Sequence, residues 1–163
     1  MLQNKNKIIL YLILIFSIFA ILAAYFIQYI LGHQPCNLCL IERIPYIFSI
    51  IIILICLLSQ RFEKIVLLTL SLTFFAATLL SLFHFGIEQG FIKESLVCDL
   101  SNSNNETNRE ILLDQLKKMP VNCKDVTFRV FGLSLATLNI FITFVLSIIT
   151  AKLFLIYEKN RQK

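Results

Sequence analysis

The sequence predicts an all-α membrane protein, a four-transmembrane-helix bundle, and three observations carry that reading. Of its 163 residues, 58 % are hydrophobic, and the mean hydropathy of +0.80 lies beyond ordinary soluble globules. Four apolar runs recur along the chain, and three of them are long enough by themselves to cross the hydrocarbon of a bilayer. Gly and Pro are scarce, 4 and 3, so the runs can satisfy their own backbone hydrogen bonds as helices, as lipid requires. The length is that of a single domain, 1–163.

The first run, about 8–31, carries no charge. It is too long for a signal-peptide core, and "ILAAYF" lacks a small-x-small cleavage pattern, so it reads as a retained helix. The second apolar stretch, Ile44 to Leu58, is too short to span by itself. Started at Cys36 it reaches ~34 Å at ~1.5 Å per residue, which suffices. The second span is therefore placed at about 36–58, with Glu42 and Arg43 near the headgroups. Pro35 then stands at the helix start, where a missing N–H does no harm. Pro45 lies inside the span and predicts a kink there.

The third run, about 65–87, is interrupted only by neutral polar side chains and His84. A long polar loop, 88–129, follows. Its middle, "SNSNNETN", has linker composition. In "REILLDQLKKM" (Arg109–Met119), Ile111, Leu112, Leu116 and Met119 fall on or near one helical face. That suits a short amphipathic helix on the membrane surface, or equally one packed on its own loop. The fourth span runs from about 130 to 151, with Lys152 placed to snorkel.

Four spans put both termini on one side. Eight basic residues (Lys5, Lys7, Arg61, Lys64, Lys152, Lys159, Arg161 and Lys163) crowd the short flanks there. The other side has seven, spread over far more chain. By density the termini face the cytoplasm. The net charge of +5 thus reads as a topology signal, and no nucleic-acid partner is expected. This orientation sends Cys36, Cys39, Cys98 and Cys123 to the non-cytoplasmic face, where an oxidising compartment favours disulfides. Cys56 lies within an apolar span and reads as a small hydrophobe.

Structural staples, a zinc site and a redox relay compete as readings of the four loop thiols. Zinc is disfavoured because the second couple is widely spaced across a linker, and no metal is assigned. A staple suits Cys98–Cys123 but explains Cys36–Cys39 poorly, since so short a ring constrains little. A C-x-x-C at a helix start instead makes thiols reactive, because the helix N-terminus lowers a thiol pKa. Arg43, four residues after Cys39, falls on the same helix face and stabilises a thiolate. A cation so close to lipid is a functional candidate. His84, at the same outer end, is read either as an interfacial side chain or as a partner of Arg43 in one pocket.

"PCNLCLIER" followed by a proline, "FHFGIEQG", "VCDL" and "NCKDVTFRVFGLSLATLN" together resemble the DsbB family of bacterial disulfide bond formation proteins. The resemblance covers nearly the whole chain and includes the order of the cysteine pairs. It implies a multi-pass protein of the bacterial inner membrane with periplasmic cysteine loops. It implies that a periplasmic DsbA-like thioredoxin-fold protein is reoxidised and that electrons pass to a quinone, ubiquinone or menaquinone. On that likeness Cys98 receives the partner thiolate, Cys123 attacks Cys36, and Cys39 is released toward the quinone. Arg43, with His84 as a second candidate, would contact the quinone. Lys124 after Cys123 and the absence of Trp depart from the family pattern and bear on the partner surface. A relative serving a dedicated thiol partner, or a non-catalytic four-span protein with stapled loops, are the alternative readings.

Overall fold

The computed structural model describes residues 4–59, 63–93, 123, 129–130 and 132–161. Among the described residues the helices are α1 (Asn4–Tyr29), α2 (Asn37–Ile41), α3 (Ile44–Ser59), α4 (Glu63–Glu88) and α5 (Leu135–Arg161). Two two-residue strands, β1 (Arg129–Val130) and β2 (Leu133–Ser134), pair antiparallel just before α5. Lys7–Tyr29, Asn37–Ser59, Glu63–Glu88 and Leu135–Lys159 are long and apolar enough to cross a membrane. The expected linker (101–108) and surface helix (109–119) lie outside the described residues.

Each helix buries a narrow stripe and turns large apolar side chains outward. On α1, Leu10, Ile13, Leu14 and Ser17 are buried, at the spacing of one helical face. Leu12, Ile15, Phe19, Leu22 and Phe26 are exposed on the same helix. So much outward apolar surface would aggregate in water, whereas lipid solvates it. The helix ends where Gly32, at φ 73°, turns the chain. The Leu31 and His33 amides then reach back to the carbonyls of Phe26 and Ile27.

The second span departs from a single kinked helix. It breaks at Glu42–Arg43, just ahead of Pro45. Pro45 has no N–H to give the Ile41 carbonyl, and its ring crowds that turn. The chain compensates on either side: the Glu42 and Arg43 amides bond Leu38 and Leu40, and the Tyr46 and Ile47 amides both bond Arg43. The fourth span also begins later than the hydropathy indicates, at Leu135 rather than near Val130, because the β1–β2 hairpin comes first. Gly132, at φ 83°, permits its tight turn.

Among the described elements the most extensive seam joins α4 to α5, and it is built from small and polar residues. Ala77, Thr78 and Ser81 on α4 and Ala136, Thr143, Ser147 and Thr150 on α5 are all buried. The Thr78 and Thr143 hydroxyls meet at 3.1 Å. Asn139 Nδ2 donates to Ser81 Oγ at 2.8 Å, and Asn139 Oδ1 accepts from Tyr46 Oη at 2.5 Å. One side chain thus ties α5 to both α4 and α3. In lipid, small residues allow close approach and polar side chains join helices. At the other end of the bundle, Lys64 meets Glu158 at 2.7 Å, but both are substantially exposed. Such a pair contributes only ~0–1 kcal/mol.

Replacing Asn139 by Leu removes two interhelical hydrogen bonds, each worth roughly 0.6–1.7 kcal/mol. Unfolding in mixed micelles should therefore show a loss of about 1–3 kcal/mol, whereas Lys64→Ala should change little. Equal effects of the two substitutions would assign the bundle's stability elsewhere.

Candidate functional site

The site is assembled at the end of the bundle where α2 begins. Cys36 is the N-cap of α2, with extended backbone at φ −73° and ψ 167°. Its Sγ accepts the Cys39 amide at 3.3 Å, the role an oxygen side chain usually fills. Cys39 lies three residues on, so one helical turn brings the two Sγ atoms to 2.9 Å. Both thiols are free, as is Cys56, which is buried in the core around Leu10 and Ile53.

His84 reaches this pair from α4. Its Nε2 lies 3.5 Å from Cys36 Sγ, and its Nδ1 lies 3.0 Å from Glu42 Oε1. Glu42 accepts a proton-bearing Nδ1, which leaves Nε2 facing sulfur. Glu88, one turn after His84, places Oε1 3.9 Å from Nε2. His84 is 2 % exposed and Glu42 8 %, so this thiol–imidazole–carboxylate row is shielded from bulk water. Such a row can move a proton off a thiol and hold the thiolate that results.

Arg43 points to another helix. Its Nη1 donates to Gln28 Oε1 at 2.7 Å, and its guanidinium carbon lies 5.1 Å from the centre of the Tyr25 ring. Among the described residues, its partners are thus on α1 rather than the thiols. The break at Glu42–Arg43 separates the two charges, sending Glu42 toward α4 and Arg43 toward α1.

Cys36, Cys39, Glu42, Arg43, His84, Glu88 and Gln28 face one cavity of about 330 Å³. Its apolar walls include Phe16, Phe19 and Ala20 of α1 and Leu138 and Ile142 of α5. Its polar end holds Cys36, Cys39, Glu42, Arg43, His84 and Glu88. Cys123 also lines it, and is buried in the same cluster as Cys36, Leu38 and Ile87. Cys123 is disulfide-bonded. Cys98, its expected partner, lies outside the described residues. Of the six residues singled out from the sequence, five therefore converge: Cys36, Cys39, Cys123, Arg43 and His84. Glu42, Glu88, Gln28 and Tyr46 were not singled out. Glu42 had the same warrant as Arg43, a charge beside lipid, and that signal would have found it.

Cys36 stands just ahead of the membrane-spanning part of its helix. Hydrogen bonding from the Cys39 thiol, helped by His84, holds its pKa well below the ordinary thiol range, while burial opposes the shift. The thiolate therefore persists as pH falls toward 6, where an ordinary thiol, of pKa ~8.5, loses about tenfold in thiolate per unit. Alkylation of Cys36 in reduced protein, followed by mass spectrometry, should hardly slow between pH 8 and 6. A tenfold fall per unit would show that the arrangement does not hold a thiolate.

The family model described as "Disulfide bond formation protein DsbB" matches residues 6–153. The chain is also similar to an uncharacterised protein, RP370, of Rickettsia prowazekii (strain Madrid E). The two are 27 % identical over 165 residues, covering 98 % of this chain and 94 % of the relative. With four membrane-length helices and a match over most of its length, the chain belongs to the DsbB family, multi-pass membrane oxidoreductases of disulfide bond formation.

Proposed function

We propose that this protein is a protein dithiol:quinone oxidoreductase of the bacterial inner membrane. In this reading it reoxidises a periplasmic DsbA-like thioredoxin-fold protein. The observation that carries it is the cavity: a C-x-x-C pair opens onto an apolar chamber whose polar end also bears Arg43 and His84. A quinone fits these residues. Phe16, Phe19 and Ile142 offer apolar contact to a ring and tail, and the volume of about 330 Å³ suits a small-molecule site. Arg43 keeps N–H groups beyond the one given to Gln28, and these suit a carbonyl oxygen. Bound there, a quinone supplies the two-electron, two-proton sink that side chains lack.

The protein's own steps are thiol–disulfide exchanges. A partner thiolate attacks Cys98 of the Cys98–Cys123 disulfide, forming a mixed disulfide and releasing Cys123 as a thiolate. Cys123 then attacks Cys36 of an oxidised Cys36–Cys39 pair, and Cys39 leaves as a thiolate. The burial of Cys123 in the same cluster as Cys36 supports this order. The partner's second thiol displaces Cys98, and Cys98 closes on Cys123 to leave Cys36 and Cys39 reduced. His84, backed by Glu42, holds the proton of Cys36, and Arg43 orients the acceptor beside Cys39. In sum, two partner thiols become a disulfide, and two electrons and two protons leave through the C-x-x-C pair. The density of basic residues near the termini supports cytoplasmic termini and periplasmic cysteine loops.

Two experiments test this reading. Purified protein should reduce a soluble quinone only when given a reduced thioredoxin-fold partner, and Cys39→Ser should abolish this. Arg43→Lys keeps the charge but loses the planar fork that serves Gln28 and a second acceptor together. A charge-assisted hydrogen bond is worth ~1.5–3 kcal/mol, so quinone KM should rise roughly ten- to a hundredfold. An unchanged KM would reduce Arg43 to a tie between α1 and the second span. Separately, Cys123→Ala should trap a mixed disulfide at Cys98, visible as a shifted band on non-reducing gels. A trapped bond at Cys36 or Cys39 instead would overturn the order of exchange.

A further inference from the structure

We infer that the reduced C-x-x-C pair is also a zinc site, with Cys36, Cys39, His84 and Glu88 as ligands. The thiol and imidazole ligand atoms of Cys36, Cys39 and His84 already lie within 4.8 Å of one another. In a tetrahedral site with Zn–S ≈ 2.3 Å and Zn–N ≈ 2.0–2.1 Å, sulfur and nitrogen stand ~3.5 Å apart. Cys36 Sγ and His84 Nε2 stand 3.5 Å apart. Two sulfurs on one zinc stand ~3.7 Å apart, so the present 2.9 Å must open by under an ångström. Cys39, only partly buried, can supply that movement by a small side-chain rotation.

Two independent features point to a cation. The first is the outer contact of the imidazole. A metal-bound His commonly gives its other ring N–H to a carboxylate, and His84 Nδ1 meets Glu42 Oε1 at 3.0 Å while Nε2 faces the sulfurs. The second is Glu88. Its Oε1 is 3.9 Å from Nε2, and its Oε2 is buried without a hydrogen-bond partner. Cys36, Cys39 and His84 already stand together, and Glu88, held by Ser134 and keeping one buried oxygen free beside the imidazole, completes a four-ligand set by turning that oxygen inward. Zinc suits that mixture of two thiolates, one imidazole and one carboxylate.

The site exists in one redox state only. Binding displaces two protons to solvent, the Cys39 thiol proton and the one held between Cys36 and His84, and leaves both sulfurs as zinc thiolates, with no electron transferred. Once Cys36 and Cys39 share a disulfide, neither sulfur can serve as a thiolate ligand. Zinc would thus capture the dithiol form and hold it back from delivering electrons, a reversible brake that acts on reduced protein alone.

The test uses the full chain in detergent micelles, carrying Cys98→Ala and Cys123→Ala so that loop thiols cannot contribute. Zinc is titrated against a chromophoric chelator with the remaining pair reduced, then oxidised. One equivalent should bind the reduced protein, and affinity should fall at least a hundredfold on oxidation. Cobalt in place of zinc should give the intense visible bands and sulfur-to-cobalt charge transfer of a tetrahedral thiolate site. Cys36→Ser, Cys39→Ser and His84→Ala should each weaken zinc at least a hundredfold, and Glu42→Gln about ten- to a hundredfold. Equal zinc affinity in the two redox states of the otherwise unsubstituted pair would overturn the inference without relying on any of these substitutions folding. Affinity that survives Cys36→Ser would overturn it too. No quinone or thiol partner enters the measurement, so its failure leaves the proposed relay standing, and failure of the relay leaves the zinc site to be judged separately.

Discussion

The contact between Glu42 and His84 holds the outer end of this bundle together. It joins the break in the second span to the last turns of α4, across 3.0 Å and almost out of reach of water. Together with the packing of Leu38 on Ile87, it fixes α2, a five-residue helix too short to hold by itself. With it, Cys36 at the N-cap is brought against the same imidazole. Removing one member of a buried pair strands the other, at a cost of about 3–5 kcal/mol when both are charged. The interaction that positions the thiol and the one that can move its proton are therefore the same.

Pro45 makes this geometry available. A continuous helix through Glu42 and Arg43 would point the two charges about 100° apart and leave their backbone groups inside the helical ladder. The missing N–H at Pro45 opens the ladder one turn earlier. Glu42 then reaches α4, Arg43 reaches Gln28 and Tyr25 on α1, and the chamber lies between. Three helices meet at the polar end through side chains from two adjacent residues. The polar seam of α4 and α5 supports the opposite wall, where Asn139 fixes Tyr46 and Ser81.

Burial of Cys123 beside Cys36 links a loop to the membrane pair. Exchange between two disulfides needs three sulfurs in line. Loop cysteines without such packing would have to find the C-x-x-C by diffusion of a long segment. In the proposed relay, burial of Cys123 in one cluster with Leu38 and Ile87 shortens that search and shields the exchange from water.

The sequence by itself determined the fold class and named most of the residues that gather at the candidate site. Uninterrupted apolar runs can only be helices in lipid, and the C-x-x-C spacing places two thiols within one turn whatever the rest of the chain does. Arg43 was legible because a charge beside hydrocarbon is costly and needs a reason. Long-range pairings were not legible. Nothing in the local sequence around residue 42 states that it faces residue 84, or that Arg43 turns to Gln28 rather than to sulfur. Those choices follow from how α1, α3, α4 and α5 cross, and from where the Pro45 break rotates the chain. Hydropathy likewise placed the fourth helix too early, since the apolar side chains of the β1–β2 hairpin count toward a span without entering one. Composition and spacing act over a single helical turn, and the shared cavity exists only once four separate helices have packed.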